Sequence, residues 1–272
     1  MSKSRNNGES IVREHLSFKG RILQLAWLDM IRQYRGATLS WAWAIIRPLT
    51  FLAVYFFVMK FGLKASISKG GIDLFPWLAV GLVAWFYISD ILNNGTNSFK
   101  RYKFLITKMK FPVSVIPTIT TLSNMFIHMG LLAIVIAYLA IFEDTFSMTW
   151  LQLPIYTVIL IIFSAAWSLF ASPLSAISGD FHQLIKSIKR IMFWLSGVIW
   201  NVREIDIEWV RNLMLMNPIT GFIEGYRDSL LYHTWFWEEP ERFIGLVLVT
   251  LLMMALAAIV FKRTRKEVVD VL

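Results

Sequence analysis

Two charged side chains stand inside stretches of sequence that are otherwise apolar: Arg47, which is followed by Pro48, and Asp90. An ionisable group in such a run is costly in hydrocarbon and ordinarily faces a cavity, a water path or a partner of opposite charge. The two can pair with one another. Arg47 has two other roles open to it, because a guanidinium matches phosphate oxygens two at a time and because its long stem lets the head snorkel to a membrane surface. Rings crowd the same stretches: Trp41, Trp43, Phe51, Tyr55, Trp77, Trp85, Phe86, Tyr87, Phe193, Trp194 and Trp200. Such rings serve as an interface belt and as packing, and a path that carries sugars also uses their faces.

Other chemistry is missing from the sequence. It holds no G-x-x-x-x-G-K-[S/T], so the chain cannot cradle nucleotide phosphates in a P-loop of its own, and any ATP hydrolysis must come from a partner. H-E-x-x-H and G-x-S-x-G are absent as well, and there is no cysteine to act as nucleophile or metal ligand. The four histidines, His15, His128, His182 and His233, lie far apart and suggest no metal site. His128, inside an apolar stretch, reads as a helix-packing hydrogen bond, with a functional role as the alternative. Eight acids, Glu204, Asp206, Glu208, Glu224, Asp228, Glu238, Glu239 and Glu241, fall between Val202 and Arg242 with four arginines. A carboxylate pair for acid-base work can be chosen among them, but nothing fixes its geometry, and a solvated face is the plainer reading.

The elements that must position these residues are membrane helices. Hydrophobic residues make up 57% of the 272 and charged residues only 17%, too little polar surface for a water-soluble globule. Stretches of the roughly 20 apolar residues needed to cross hydrocarbon lie at about 40–61, 74–92, 113–142, 150–178 and 243–261, with a shorter run from Ile191 to Trp200. The first twenty residues are polar, so no cleavable signal peptide is expected. The net charge of +9 would suggest nucleic acid in a soluble protein, but here it reports orientation. Nineteen of the 27 basic residues fall before residue 40, between 93 and 112, at Lys186, Lys189 and Arg190, and in the tail from Lys262; seven fall on the opposite set of loops. The richer set is expected to be cytoplasmic, with both termini inside. Two inner ends require an even number of crossings, so the short run is lengthened from about Phe181 into a fifth crossing of six. Asn217-Pro218 interrupts the next apolar run, which reads as a re-entrant or interfacial element on the outer side.

Two amphipathic segments flank the crossings on the basic side. Leu23, Trp27, Met30 and Tyr34 recur at helical spacing with Arg21, Asp29, Arg32 and Arg35 broadly opposite, the pattern of an interfacial helix that anchors to anionic lipid or binds a partner. Phe99, Tyr102, Ile106 and Met109 form a second stripe in a loop with five basic residues, a membrane-surface element or a docking helix.

In order and spacing, these segments resemble the permease subunits of ABC transporters that export cell-surface polysaccharides. The resemblance rests on Leu25-Ala26-Trp27-Leu28-Asp29 through Tyr34-Arg35 with Trp41, Trp43 and Pro48, and on Phe104 through Pro112 with Ile116-Pro117. Gly179-Asp180, Ser196-Gly197-Val198-Ile199-Trp200 and Asn217-Pro218 through Asp228 continue it, so that it spans about residues 22–228. Leu28, Ser40 and Gly197 depart from the family pattern. Ile223 through Ser229 with Tyr232 to Glu238 is most similar to the teichoic acid export permeases of Gram-positive bacteria.

The resemblance implies an all-α integral membrane protein of the bacterial plasma membrane. It would have six transmembrane helices, an amphipathic interfacial helix within 1–39, a coupling helix in 93–112, external re-entrant helices in 202–242 and a cytoplasmic tail at 262–272. It implies a homodimer with two P-loop ATPase subunits that bind the ATP and magnesium, this chain holding no cofactor and catalysing nothing. The implied cargo is a polyprenyl-pyrophosphate-linked polymer, wall teichoic acid first, with O-antigen or capsule as the alternative. An integral membrane polyprenyl-phosphate transferase is the competing class, but it needs a phosphate- or metal-binding acid motif and none is recognisable. On this footing the ATPase-coupling set is Phe99, Tyr102, Ile106 and Met109 with Lys103, Lys108 and Lys110 at the rim, joined by Asp29 and Arg32. The substrate path is Arg47 with Trp41, Trp43, Phe51, Tyr55, Trp85, Phe193 and Trp194.

Overall fold

The computed structural model describes residues 11–35, 42–64, 72–109, 111–143 and 146–272, and every regular element among them is a helix. In chain order these are α1 (Ile11–Gln33), α2 (Trp43–Phe57), α3 (Leu74–Asp90), α4 (Ser98–Arg101), α5 (Lys103–Lys108), α6 (Val115–Tyr138), α7 (Leu153–Ile177), α8 (Gly179–Leu195), α9 (Glu208–Leu215), α10 (Pro218–Arg227) and α11 (Pro240–Val271). With their π-helical or 3₁₀ extensions, five are long and apolar enough to cross a membrane: Trp43–Gly62, Leu74–Gly95, Val115–Glu143, Met148–Ile177 and Pro240–Val268. The chain is a multi-pass membrane protein.

The fifth crossing of six expected over about 181–200 is not among these five long helices. α8 is a 17-residue amphipathic helix that carries Asp180, Lys186, Lys189 and Arg190 and ends in a turn at 196–200, where Gly197 adopts φ +63°. Only glycine takes that conformation without strain. The connection 178–239, of which α8 is a part, still has to run back along the bundle. Tyr156 meets Phe243, Ala166 clusters with Met253 and Ala257, and Ala176 joins Phe261, so α7 and α11 run parallel, side by side. The connection between two parallel neighbours has to return to the end where it began.

α3 occupies the centre. Thirteen of its 17 residues are buried, which explains why it is apolar on every side rather than striped. α2 is the opposite case: Leu52 is its one buried residue, and Trp43, Ile46, Leu49, Val54 and Phe57 face outward.

At the basic end a second core joins α1, α4, α5, the start of α6 and the end of α11 through Ile22, Ala26, Phe99, Tyr102, Ile106, Ile116, Ile119, Phe261 and Val268. α1 has three faces. Ile22, Ala26 and Asp29 pack inward, Val12, Leu16, Leu23, Trp27 and Ile31 leave an apolar strip exposed, and Arg13 and Arg21 are exposed on the polar remainder of the helix. Asp29, expected on the polar face, belongs instead to the packed one. Polar pairs fix this face: Arg101 donates to Asp29 at 2.7 Å, Gln33 to Ser123 at 2.9 Å, and both Ser114 and Arg265 to Glu14. A buried carboxylate needs such partners to stay in place.

Candidate functional site

α2, α3, α6 and α8 flank a partly open cavity of about 520 Å³, with Trp43, Phe51 and Trp194 at its exposed margin. Seven of the eight residues expected on a substrate path line it: Trp43, Arg47, Phe51 and Tyr55 from α2, Trp85 from α3, and Phe193 and Trp194 from α8. Trp41 lies outside the described residues. Tyr55 and Trp85 both pack on Phe193, with ring centroids 5.3 and 5.4 Å apart, so three elements share one aromatic wall. The structure adds Tyr34, Asp90, Asn124, His128, Lys189 and Arg190 to the lining. In the sequence Lys189 and Arg190 are only members of the richer set of basic residues; the structure places them on the lining that Arg47 shares.

Arg47 and Asp90 line this cavity but form no ion pair within 4.0 Å, so the pairing open to them in the sequence is not made. Pro48 cannot donate to the Ala44 carbonyl one turn before it, and Ala44 also lines the cavity. The result is a chamber with three cations, one carboxylate and aromatic walls. Chemically it suits an anionic group attached to something with flat, partly apolar faces, such as a sugar.

The expected docking stripe on α4 and α5 is corrected. Phe99 is fully buried, and Tyr102 and Ile106 are nearly so, all three inside the core at the basic end; of the four only Met109 is exposed. The stripe has helical spacing because it anchors these short helices to their own chain. Their free side carries Phe104, 68% exposed, with Lys103, Lys108 and Met109 around it. Asp29 is likewise buried, held by Arg101, whereas Arg32 is exposed. Lys110 lies outside the described residues.

The far end carries a partial correction: Glu204, Asp206, Glu208, Glu238 and Glu241 are exposed, as a solvated face requires, but two of the eight acids are not. Glu224 and Asp228 are buried, and with Arg203, Arg227, Glu239 and Arg242 they make one ion cluster. Arg203 donates to both Glu224 and Asp228, and Arg242 donates to Asp228 and Glu239. Burial by itself would lower the Arg203 pKa, but Glu224, Asp228 and Glu239 outweigh it and raise it above the usual arginine value. Arg227 is fully buried and donates to the Gly197 and Val198 carbonyls, each at 2.8 Å, and to Glu224 at 2.9 Å. Asn217 caps α10 by accepting from the Ile219 amide at 3.0 Å, and Pro218 takes the first helical position. The helix is thereby started where a continuous crossing would have been broken. Tyr226 reaches mid-bundle, 2.9 Å from His128 Nε2 and 3.0 Å from Thr157, which supplies the packing hydrogen bond expected of His128. The charges of this cluster were visible in the sequence, but their burial left no periodic signal.

Comparison with known proteins accords with this architecture. The O-antigen export system permease protein RfbA of Myxococcus xanthus is 23% identical over 264 residues, covering 94% of this chain and 97% of that one. A protein of the same name from Klebsiella pneumoniae is 23% identical over 225 residues, 81% of this chain and 84% of the relative. The sequence profile of the ABC-2 type transporters matches residues 21–231, from α1 to the turn after α10. The chain therefore belongs to the ABC-2 type transporter family, as a membrane subunit without a nucleotide-binding domain whose ATPase is supplied by a partner.

Proposed function

We propose that this chain is the permease of an ATP-driven exporter that moves a polyprenyl-pyrophosphate-linked polysaccharide from the cytoplasm to the outer face of a bacterial plasma membrane. The observation that carries it is the cavity in which Arg47, Lys189 and Arg190 stand beside Phe51, Tyr55, Trp85 and Phe193. Cations suit the pyrophosphate and ring faces suit the first sugars. The relatives at 23% identity, both O-antigen export permeases, favour a polymer of that type. Wall teichoic acid is the second reading, favoured by the Tyr232 to Glu238 stretch that resembles teichoic acid permeases.

The working unit is a homodimer with two P-loop ATPases. Both termini are cytoplasmic, and α8 with the turn after it serves as the fifth of six crossings. The basic end, with Lys103, Phe104, Lys108 and Met109 free, then faces the ATPase. Nucleotide-driven closure transmits through this contact only if the ATPase binds it differently in its two states. Reconstitution with the cognate ATPase tests the whole: lipid-linked polymer should cross the vesicle membrane only with ATP and only with Arg47 intact. Transport at normal rates by Arg47→Ala would sink the assignment of the cavity. Movement of a phosphodiester polymer but not a neutral glycan would select the teichoic acid reading.

A further inference from the structure

A groove of about 640 Å³ lies at the far end of the bundle, between α9, α10 and the first turns of α11. Its character changes along α11. Glu238, Glu239, Glu241 and Arg242 line one end with Asn212 of α9, and Gly245, Leu246 and Val249 line it further in. Beyond the groove the same side of the helix stays apolar: Gly245, Val249, Leu252 and Leu256 recur at i, i+4, i+7 and i+11, and the last two are 59% and 41% exposed. Since α11 is one of the membrane helices, this surface is charged where the span begins and apolar within it. Gly245 keeps the groove open. A Cβ there would meet nothing within 4 Å beyond its own stretch of helix, whereas one on Gly221 would stand 3.2 Å from Leu246. Gly221 is a packing glycine; Gly245 weakens its helix without admitting any neighbour from this chain. The rim charges also differ among themselves. Arg242 is held by Asp228 and Glu239, and Arg203 reaches Glu239 as well, so these belong to the ion cluster. Glu238 and Glu241 are exposed and have no basic side chain within 4.0 Å among the described residues, and Glu238 accepts from the Trp235 amide at 3.2 Å. Asn212 is exposed, and its amide donates to no described residue.

We infer that this groove binds a phospholipid whose headgroup carries a primary ammonium, with the headgroup at the rim and an acyl chain along Gly245, Val249, Leu252 and Leu256. The ammonium supplies the counter-charge that Glu238 and Glu241 lack, and its N–H groups donate to their oxygens. The phosphate beside it accepts from the Asn212 amide. A headgroup of net negative charge brings no cation to the two carboxylates and sets a phosphate against them, so the groove disfavours it. This preference is the reverse of the cavity's, where Arg47, Lys189 and Arg190 suit an anion. A small water-soluble ligand would leave the apolar stripe beyond the groove bare, whereas an amphiphile matches both ends of it. The inference takes from the fold only that α11 crosses the membrane, and it stands whatever the cavity carries.

The test is native mass spectrometry of the full-length permease, released from detergent containing equal amounts of phosphatidylethanolamine, phosphatidylcholine and phosphatidylglycerol with the same acyl chains. The wild type should retain phosphatidylethanolamine about tenfold over phosphatidylglycerol, the scale of one hydrogen bond between charged groups. Phosphatidylcholine, whose ammonium has no N–H to donate, should fall between them. Glu238→Gln combined with Glu241→Gln keeps both side chains but removes their charge, and should bring the ratio to about one. Gly245→Leu fills the groove and should expel the lipid whatever its headgroup; with open space around that position and a better helix former in place, its melting temperature should equal or exceed that of the wild type. Equal retention of the three lipids by the wild type, a preference for phosphatidylglycerol, a preference that survives the double glutamine variant, or full retention by Gly245→Leu would each overturn the inference. Loss of dimer without loss of lipid in Gly245→Leu would also overturn it, and would assign the groove to a second copy of the chain.

Discussion

The guanidinium of Arg227 lies over the ring of Trp77, its central carbon 3.4 Å from the ring centroid. The stack joins α10 to the far end of α3, and Trp77 is itself fixed by donating from its indole nitrogen to Tyr232 at 2.8 Å. Gly81, one turn along α3, leaves the space: a Cβ there would stand 2.4 Å from Arg227 Nη2. A charge this deeply buried persists because Glu224, two carbonyls and a ring face replace its water.

Removing Arg227 should therefore cost more than its contacts suggest. Arg227→Ala leaves Glu224 short of a partner in the interior and should destabilise the permease by about 3–5 kcal/mol. Arg227→Lys keeps the charge but not the planar fork, and should recover only part of the loss. Thermal unfolding of the detergent-solubilised protein measures both, and a melting point equal to wild type for Arg227→Ala would remove Arg227 from the centre of the fold.

Gly81→Ala should destabilise by about 1–3 kcal/mol, because its methyl forces the guanidinium off the tryptophan. In the double variant with Arg227→Ala most of the added cost should disappear, leaving the 3.1 Å approach to the Val198 carbonyl. Additive losses in that cycle would mean that the crowding lies elsewhere.

Charge reversal on the free side of α4 and α5 should separate docking from folding. Lys103→Glu with Lys108→Glu, or Phe104→Ala alone, is expected to weaken co-purification of the ATPase at least several-fold while leaving the melting temperature within a degree or two. Ile106→Ala, whose side chain is in the core, should instead lower stability by about 2–5 kcal/mol. The reverse pattern would restore Phe99, Tyr102 and Ile106 as the docking surface.

Asp29→Asn should loosen α1 from the basic end. Arg101 retains some access to water, so the cost is placed at about 1–3 kcal/mol rather than that of a fully buried pair. Hydrogen exchange in α1 should rise ahead of exchange in α6, and the exchanged pair Asp29→Arg with Arg101→Asp should restore some of the protection. Unchanged exchange in Asp29→Asn would show that Gln33 and Glu14 suffice to hold the helix.

Several features were legible from residue order alone. Five apolar stretches appear as five long helices, and Asn217-Pro218, read as a break, is the cap and first residue of α10. Phe99, Tyr102 and Ile106 show where such reading stops. Their spacing reveals a helix with one apolar side, but an apolar side looks the same whether it meets a partner or the chain's own core. Glu224 and Asp228 misled for a related reason, while the exposed acids around them kept to the solvated face. A charge has one composition whether it is solvated or buried, and only the positions of its counter-charges tell the two apart.

What the sequence determined by itself is the class of molecule and the polarity of its charge, since both follow from how much apolar surface each segment carries and where lysine and arginine fall. Tertiary structure alone decided that α7 and α11 run in parallel, that Lys189 and Arg190 join Arg47 at one cavity, and that Arg227 meets Trp77. Each of these depends on contacts between helices distant in sequence, and helical periodicity records which side of a helix is apolar without recording what that side will touch.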